Sequence, residues 1–461
     1  MTLPGVCLVL LVAAQQENSV ERLVRQLGHD QAKVREEAAR GLVEIGKPAL
    51  PLLHEAARSG DSETRARALE VLKGIERRLL NGQNLWTRPG KALTPLVHHS
   101  GRLYYATASE AEEKGTLVCL DAATGLEEWS TALAGPAADL RAHQGFLHYQ
   151  QGDQFFADAR TGKTLSSFHI PFVGSPRLEL IGSIAVAVHS AWPFGVRAFD
   201  VDSGRPLWER RHAEIGWSLP LGSFQKACLV YEVQKVVALD SETGRPLWEH
   251  ALSEDERRVF SSGSPGPEHR VLFDDRSIYF SGSKVLKWDF QGRAVWNAAE
   301  IKNLNGYGPR LLAQDGKNLY GAMTDSRIVA LTKADGALAW LVGERRDEWT
   351  GICDMELVDG RLLALTSLDF SKGEQNFVLR RLDPDTGKVL WALPCARSPL
   401  PRHSFKGGIY LAGKDGLYCA DLETGKSVRL DRPVPNAHPL LVGDTLYFSS
   451  TAEVTAIKLT E

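Results

Sequence analysis

Histidine side chains are the first groups in this chain that could do chemistry, because a neutral imidazole is a common metal ligand. His98 and His99 are adjacent beside a predicted strand, and we interpret them as its polar start, with metal binding as the alternative. His189 and His403 stand alone near strand ends and are interpreted as structural. The chain has no HExxH motif, no phosphate-binding GxxxxGKS/T loop and no EF-hand loop. The sequence therefore predicts no catalytic residue and no metal ligand.

Arginine pairs are a second candidate, because neighbouring guanidinium groups can bind an anion. Within the strand region such pairs stand at residues 210–211, 257–258, 345–346 and 380–381. Acidic residues stand beside three of them, namely Glu209, Glu256, Glu344, Asp347 and Glu348. Charges of mixed sign are typical of a solvated surface, so we predict no anion site here.

Composition and charge exclude two broad classes of protein. The chain has 461 residues, of which 43% are hydrophobic, and 54 Lys and Arg against 57 Asp and Glu give a net charge of −3. This apolar content is too high for a disordered chain. The missing basic surplus argues against a nucleic-acid partner.

The N-terminus begins with an apolar run, residues 3–14. Twelve residues are too few for a membrane-spanning helix, but they suit a signal peptide cleaved between Ala14 and Gln15. No Lys or Arg precedes the run, so the start of a buried helix is the alternative. We predict a signal peptide over 1–16, an extracytoplasmic protein (periplasmic or secreted), and no transmembrane span in the mature chain.

The cysteines give no sign of redox or metal chemistry. Five remain after the predicted cleavage, Cys119, Cys228, Cys353, Cys395 and Cys419, an odd number without a CxxC motif. Cys119 and Cys419 occupy the same place in a repeat, and we interpret them as small buried residues.

Residues 17–80 have the apolar spacing of helices. Thirty residues separate Arg35 from Arg65, and the same offset joins Leu42 to Leu72. The string VREEAARGLVEIGKPALPLL resembles a HEAT repeat, which implies paired helices that bind proteins. Two repeats are marginal alone, so we expect them to pack on the next domain or on a partner.

Residues 81–461 have the period of strands, and one phrase recurs: an apolar strand followed by D-x-x-T-G-x-x-x-W. The clear copies are LVCLDAATGLEEW (117–129), VRAFDVDSGRPLW (196–208), VVALDSETGRPLW (236–248) and LRRLDPDTGKVLW (379–391). Asp can bind backbone N–H groups of a turn, Gly supplies positive φ, and Trp packs on a neighbouring unit. We assign these structural roles to Asp121, Gly125, Trp129, Asp200, Gly204, Trp208, Asp240, Gly244, Trp248, Asp383, Gly387 and Trp391.

Nine such units, about 41 residues apart, predict a β-propeller. The last unit lacks the Trp-containing tail, and residues 84–87 (NLWT) match the missing strand, so we expect the two chain ends to close the ring.

The phrase and the LYxxS-type strands before it resemble the PQQ-like propeller repeat. That repeat occurs in quinoprotein dehydrogenases and in the propeller subunit of the outer-membrane assembly machine. The family commonly has seven or eight blades, so we expect about eight, with one weak unit, residues 138–166, merged; a larger ring is the alternative. The fold class is mainly β, a PQQ-like propeller preceded by a small HEAT-like helical domain.

The resemblance also implies features of a quinone enzyme that this chain lacks. The dehydrogenases carry a vicinal Cys-Cys disulfide and a Glu, Asn and Asp set on calcium. No two cysteines are adjacent here, and no residue matches the calcium set. We therefore expect neither PQQ nor calcium.

Long, varied loops are the best place for function, because binding residues concentrate on loops held by a rigid scaffold. Trp192, Trp217, Tyr307, Arg310 and Trp349 lie on them, outside the Trp slot of the repeat. We predict a recognition surface there, with blade packing as the alternative. The leading hypothesis is a non-catalytic scaffold that binds another protein through propeller loops and helices. The alternatives are a PQQ-dependent oxidoreductase and a small-molecule or metal sensor that uses the channel.

Overall fold

A helical region precedes nine antiparallel sheets in the computed structural model. The structure describes residues 19–46, 49–90, 92–108, 114–168, 177–189, 195–211, 218–232, 234–261, 271–282, 284–298, 309–323, 327–343, 352–368, 376–395, 403–413, 416–430, 439–450 and 452–459.

Four helices form the first region: α1 (residues 19–26), α2 (Ala32–Ile45), α3 (Leu50–Ala56) and α4 (Ser62–Asn81). Both α2 and α3 pack against α4. Their apolar side chains recur every three or four residues and therefore share one face. Leu27, Leu42 and Leu53 are fully buried in a core that contains only residues of this helical region. The predicted HEAT-like helical arrangement is confirmed.

The arginines thirty residues apart do the same structural work. Arg35 Nη1 donates to the carbonyl oxygens of His29 (2.7 Å) and Asp30 (2.9 Å), and Arg65 Nη1 donates to that of Ser59 (2.9 Å). Each guanidinium thus ties its helix to the preceding turn, which explains the repeated Arg.

Each sheet is one propeller blade. Blade 1 contains β2 (Val97–His99), β3 (Arg102–Ala108), β4 (Gly115–Asp121) and β5 (Glu127–Leu133); blade 2 contains β6 (Ala138–His143), β7 (Phe146–Gln151), β8 (Asp153–Asp158) and β9 (Thr164–Phe168); blade 3 contains β10 (Arg177–Ile181), β11 (Ile184–His189), β12 (Gly195–Asp200) and β13 (Pro206–Arg211). Blade 4 contains β14 (Ser218–Phe224), β15 (Ala227–Glu232), β16 (Lys235–Asp240) and β17 (Pro246–Ala251), and the helix α5 (Glu254–Ser261) follows it.

The second half of the ring continues the pattern. Blade 5 contains β18 (Val271–Phe273), β19 (Ser277–Ser281), β20 (Val285–Asp289) and β21 (Ala294–Asn297); blade 6 contains β22 (Arg310–Gln314), β23 (Asn318–Ala322), β24 (Ile328–Thr332) and β25 (Leu338–Val342); blade 7 contains β26 (Ile352–Val358), β27 (Arg361–Leu368), β28 (Asn376–Leu382) and β29 (Val389–Cys395). Blade 8 contains β30 (Gly408–Gly413), β31 (Gly416–Asp421) and β32 (Ser427–Arg429), and blade 9 contains β33 (Leu440–Val442), β34 (Thr445–Ser449), β35 (Glu453–Lys458) and β1 (Gln83–Pro89).

The core is divided into slabs between neighbouring blades. Alternating strand residues face opposite sides of a sheet, so each blade shares one apolar cluster with each neighbour. We call the contact between two blades a seam and name it by their numbers. Seam 1/2 contains Tyr104 and Leu147, and seam 9/1 contains Tyr447 and Leu103. The described residues supply one such cluster for every seam.

Nine blades correct the expected number of about eight. The weak unit over residues 138–166 is not merged, because β6 to β9 form a four-stranded sheet of their own. It looked weak because Ser166 stands where other units have Trp.

The N-terminal strand closes the ring as predicted. β1 pairs antiparallel with β35, with Trp86 opposite Ala456 and Asn84 opposite Ile457. Gly82 alone separates α4 from β1. Its φ is +61°, and a Cβ there would lie 2.4 Å from the carbonyl oxygen of Lys458. Helix α4 is therefore joined directly to the closing strand β1.

Candidate functional site

The turn after the third strand of a blade is built around an aspartate. In blade 1 the Asp121 carboxylate accepts hydrogen bonds from the N–H (2.8 Å) and the hydroxyl (2.6 Å) of Thr124. The N–H of Gly125 donates to the Asp121 carbonyl at 2.9 Å, and Gly125 has φ +68°. The hydrogen bonds from Thr124 lower the pKa of Asp121. One oxygen of this carboxylate is therefore held by the turn, and the lowered pKa makes the group a poor proton acceptor.

The same turn is repeated around the ring. The Asp carboxylates that accept from the N–H and hydroxyl three residues later are Asp121, Asp158, Asp200, Asp240, Asp383 and Asp421. Blade 6 reverses the two side chains: Thr332 stands in the Asp position and donates to Asp335. In blade 5 the turn is one residue shorter, and the Asp289 carboxylate accepts from the N–H groups of Gln291 (2.9 Å) and Arg293 (2.9 Å) without a hydroxyl. A carboxylate is therefore common to these turns, and the hydroxyl beside it is usual.

Most turn glycines receive a tryptophan from the preceding blade. In seam 3/4 a Cβ on Gly244 would lie 2.5 Å from the ring of Trp208, so only glycine allows this approach. Trp208 Nε1 donates to the carbonyl oxygen of Ser241 at 2.8 Å. The indole thus fastens two blades by packing and by one hydrogen bond.

Seven seams of the described ring contain this contact. The pairs are Trp86 with Gly125, Trp129 with Gly162, Trp208 with Gly244, Trp248 with Gly292, Trp296 with Gly336, Trp340 with Gly387 and Trp391 with Gly425. Indole N–H groups donate to the turn carbonyls of the next blade in all but one pair. The exception is Trp129, whose buried Nε1 has no partner; the Ala159 carbonyl that would accept from it accepts from Tyr104 instead, at 3.0 Å.

Two seams lack the tryptophan. In seam 2/3, Ser166 takes the slot, and its hydroxyl donates to the Val201 carbonyl at 2.6 Å. A Cβ on Gly204 would lie 2.6 Å from Ser166 Cβ, so the strand approaches more closely. Arg429 occupies the slot in blade 8.

The predicted recognition residues lie mostly beyond what the structure describes. Trp192, Trp217, Tyr307 and Trp349 fall outside the described residues. Arg310 begins β22 and is half-buried. It lies near the ring axis, because the first strands of neighbouring blades contact one another there. The described structure therefore brings no two of the five together.

Histidine and cysteine form no metal site within the described residues, where no group of three or more His, Cys, Asp or Glu could hold an ion. The ring of His98 stacks on Tyr447 at 6.1 Å, and burial lowers the pKa of His98. Burial raises the pKa of Cys119 to about 12, which keeps its thiol protonated and unreactive.

Gly82 and helix α5 were not predicted from the sequence. Gly82 stands four residues before Trp86, the spacing of every turn glycine from its tryptophan, so the ninth turn is supplied by the N-terminal segment. That spacing is a signal that the sequence already contains. Helix α5 had no such signal, because it is an insertion in one crossover.

A membrane-spanning segment is not found among the helices of the described residues, none of which combines the necessary length with the necessary apolar character.

Comparisons with known proteins agree with this architecture. The model of the family described as outer membrane protein assembly factor BamB matches residues 70–342, and the model of HEAT repeats matches residues 7–74. No curated protein sequence matches the chain. Among solved structures, BamB from Moraxella catarrhalis is 14% identical, with a TM-score of 0.45, over 82% of this chain and 99% of that one. Quinohemoprotein alcohol dehydrogenase from Comamonas testosteroni is 12% identical, with a TM-score of 0.48, over 83% of this chain and 77% of that one. Because the first family model covers more than half of the chain, the protein belongs to the family of the outer membrane protein assembly factor BamB.

Proposed function

We propose that this protein is a non-catalytic, extracytoplasmic scaffold that binds another protein. Its membership of the BamB family, through residues 70–342, is the observation that carries the proposal. The HEAT-like helices add a second module of a kind that serves protein interaction. The apolar run at residues 3–14 supports export to the periplasm or beyond the cell.

The chemistry of the ring supports a binding role over a catalytic one. The repeated aspartates, which are the most regular ionisable groups of the chain, are engaged by turn hydroxyls and N–H groups. Their lowered pKa values make them weak bases at neutral pH. The geometry that is repeated from unit to unit thus serves the packing between blades.

The family description points to a more specific partner, an outer-membrane β-barrel protein that is still unfolded or the machinery that assembles it. Trp192, Trp217, Tyr307, Arg310 and Trp349 are the proposed contact residues, since aromatic and Arg side chains dominate binding energy at interfaces. In the sequence the four aromatic residues fall outside the repeated strand-and-turn phrase that holds the blades, and Arg310 begins β22.

A binding experiment tests this proposal. A urea-unfolded outer-membrane β-barrel protein, labelled and diluted into the purified chain, should bind saturably, as measured by fluorescence anisotropy. Changing both Trp217→Ala and Trp349→Ala should weaken binding at least tenfold, because each truncation removes an anchor worth about 1 to 2 kcal/mol. Leu247→Ser, on an outer strand and 56% exposed, is the matched control and should leave binding unchanged. No saturable binding by the wild-type chain contradicts the proposal.

A calorimetric titration tests the alternative class. Pyrroloquinoline quinone with calcium is added to the purified chain, and no binding is expected. A saturable, calcium-dependent heat with one site per chain would replace the scaffold proposal by a quinone-dependent oxidoreductase.

A further inference from the structure

We propose that seam 2/3 is an acid-sensitive hinge of the ring, with His148 as its switch. The inference is independent of the partner that the protein binds. It rests on the tryptophan missing from this seam and on a histidine buried inside it.

The first support is the construction of the seam. Ser166 replaces the tryptophan that fastens the turn glycine in seven other seams. The cluster here pairs aromatic side chains of blade 2, Phe146 and Phe156, with the small side chains Ala185 and Ala187 of blade 3. Seam 2/3 therefore depends on the packing of β7 and β8 against β11 more than the tryptophan-fastened seams depend on the equivalent strands.

The second support is the place of His148 within that packing. His148 lies two residues after Phe146 on β7, so both side chains face blade 3. Only 5% of the residue is exposed, and its ring lies 5.1 Å from that of Phe156. A charge on this imidazole would be buried among apolar groups at the contact between the two blades.

The hydrogen bonds of His148 make protonation costly. Nε2 is 2.7 Å from Gln154 Oε1, so with this acceptor Nε2 carries the proton of the neutral ring. Nδ1 is buried and has no hydrogen-bond partner. A second proton would be placed on Nδ1, where the described residues offer no acceptor. Burial accordingly lowers the pKa of His148.

The charged groups around the seam do not offset this cost. On β6, Arg141 is directly opposite His148, and Asp139 lies two residues before Arg141. Arg141 and Asp139 act on the pKa of His148 in opposite directions. The ring of His143, also on β6, lies 5.4 Å from that of Phe146, and burial lowers the pKa of His143 as well. On blade 3, the ionisable residues placed toward blade 2 by strand alternation are Arg197, Glu209 and Arg211. The Glu209 carboxylate is already held by Arg197 (3.0 Å) and Arg211 (2.7 Å). No carboxylate in the described part of the chain is paired with His148.

The direction of the pH effect follows from these contacts. A histidine that binds a proton more weakly when buried favours the closed seam above the ordinary histidine pKa of about 6.5. As the pH falls below that value, the opened seam gains protons that the closed seam cannot take. At pH 5.5 this linkage favours opening by up to about tenfold. Opening would expose the Phe146 and Phe156 face.

Amide hydrogen exchange of the full chain, followed by mass spectrometry at pH 7.5 and pH 5.5, tests the hinge. Exchange times are scaled for the intrinsic effect of pH. We expect protection of peptides from β7 to β12 to fall about tenfold at pH 5.5 relative to peptides from seam 6/7, which Trp340 fastens on Gly387. Equal changes in both seams, or unchanged protection in seam 2/3, overturn the proposal.

Two variants separate the switch from general acid sensitivity. His148→Gln keeps a polar partner for Gln154 but does not titrate, and it should abolish the response of seam 2/3. His148→Phe, an apolar replacement beside Phe156, should do the same. His98→Gln is the control, because the His98 ring stacks on Tyr447 in seam 9/1, and it should keep the response of seam 2/3. His143 is left unchanged, since its ring packs against Phe146 in seam 2/3 itself. A full response in either His148 variant contradicts the assignment.

Discussion

Seam 3/4 and seam 2/3 are built from the same repeat and are fastened in different ways. In seam 3/4 the ring of Trp208 covers Gly244, and its N–H reaches the Ser241 carbonyl at 2.8 Å. In seam 2/3 the hydroxyl of Ser166 reaches the equivalent Val201 carbonyl at 2.6 Å, without any ring. The hydrogen bond is thus retained where the apolar surface is lost.

The difference teaches that the repeat has two separable parts, a polar contact to the turn and an apolar cover for its glycine. The ring tolerates two seams without this cover, because each blade beside such a seam is fastened by a tryptophan contact on its other side. It follows that seams of similar sequence differ in strength. Four predictions test how the seams differ in stability.

The largest effect is expected from removing the cover itself. Trp208→Ala should lower the free energy of unfolding by about 3 to 4 kcal/mol, because a large, half-buried ring that covers the glycine is lost. Ser166→Ala, the same position one blade earlier, should cost about 1 kcal/mol, the value of its hydrogen bond. Urea denaturation followed by tryptophan fluorescence and circular dichroism measures both. Equal losses would mean that the ring of Trp208 adds nothing to seam 3/4.

A smaller effect is expected at the glycine beneath the ring. Gly244→Ala should destabilise the protein by about 3 kcal/mol, because it combines a strained positive φ with a methyl group 2.5 Å from Trp208. Gly407→Ala is the matched control, since Gly407 has φ +76° and open space around the Cβ position. It should cost about 1 kcal/mol from backbone strain alone. Thermal and urea unfolding of both variants would reveal whether the approach of the ring matters.

Acid should act on seam 5/6 at a much lower pH than on seam 2/3. Burial alone would raise the pKa of Asp274, but the N–H of Arg276, the ammonium of Lys333 in blade 6 and the hydroxyl of Tyr279 hold this pKa at about 2, below its usual 3.8. A lowered pKa gives stability that is present above about pH 4 and lost as the pH falls toward 2. The loss should be about 2 kcal/mol.

Lys333→Met should shrink this acid dependence, measured as the urea midpoint between pH 4.5 and pH 2.5. Lys317→Met is the control, because the Lys317 and Asp385 pair is about 70% exposed and should contribute little. An unchanged acid dependence in Lys333→Met would show that the ammonium does not stabilise the Asp274 carboxylate.

The smallest effect distinguishes the two parts of a tryptophan contact. Trp208→Phe keeps most of the apolar cover but loses the hydrogen bond to Ser241. The loss of this hydrogen bond should lower the free energy of unfolding by about 1 kcal/mol. Trp129→Phe loses an N–H that is buried without a partner, and it should be nearly neutral. Comparison of the two melting temperatures measures the hydrogen bond. A larger loss in Trp129→Phe would contradict this account of seam 1/2.

Much of the ring was predictable because its signal is local. Most of the turns have Asp, Thr or Ser, and Gly within five residues, and Trp four residues after Gly marks the next strand. The closing strand was found in the same way, from Trp86 and the missing tail of the last unit. The number of blades was wrong because Ser166 hides the unit of blade 2 from a pattern that relies on tryptophan.

The recognition surface shows the opposite case. The recognition residues were chosen because they lie outside the repeat, namely Trp192, Trp217, Tyr307 and Trp349. That position means that they have no role in the repeated turn, but it does not tell how close together they lie in space. Loop residues come together only through the positions of several blades, and these positions are set by long-range contacts. Arg310 is the one member within the described structure, at the start of an inner strand.

The sequence by itself determined the repeat unit and the HEAT-like helices, because each depends on residues close together in the chain. It also predicted the closing strand, because Trp86 matches the tail that the last unit lacks. Tertiary structure decided that the unit over residues 138–166 is a blade of its own, which makes nine, and that His148 is buried at a seam without a tryptophan. These features depend on which side chains of one blade face the next. Residues far apart in sequence share that boundary, and no local pattern records it.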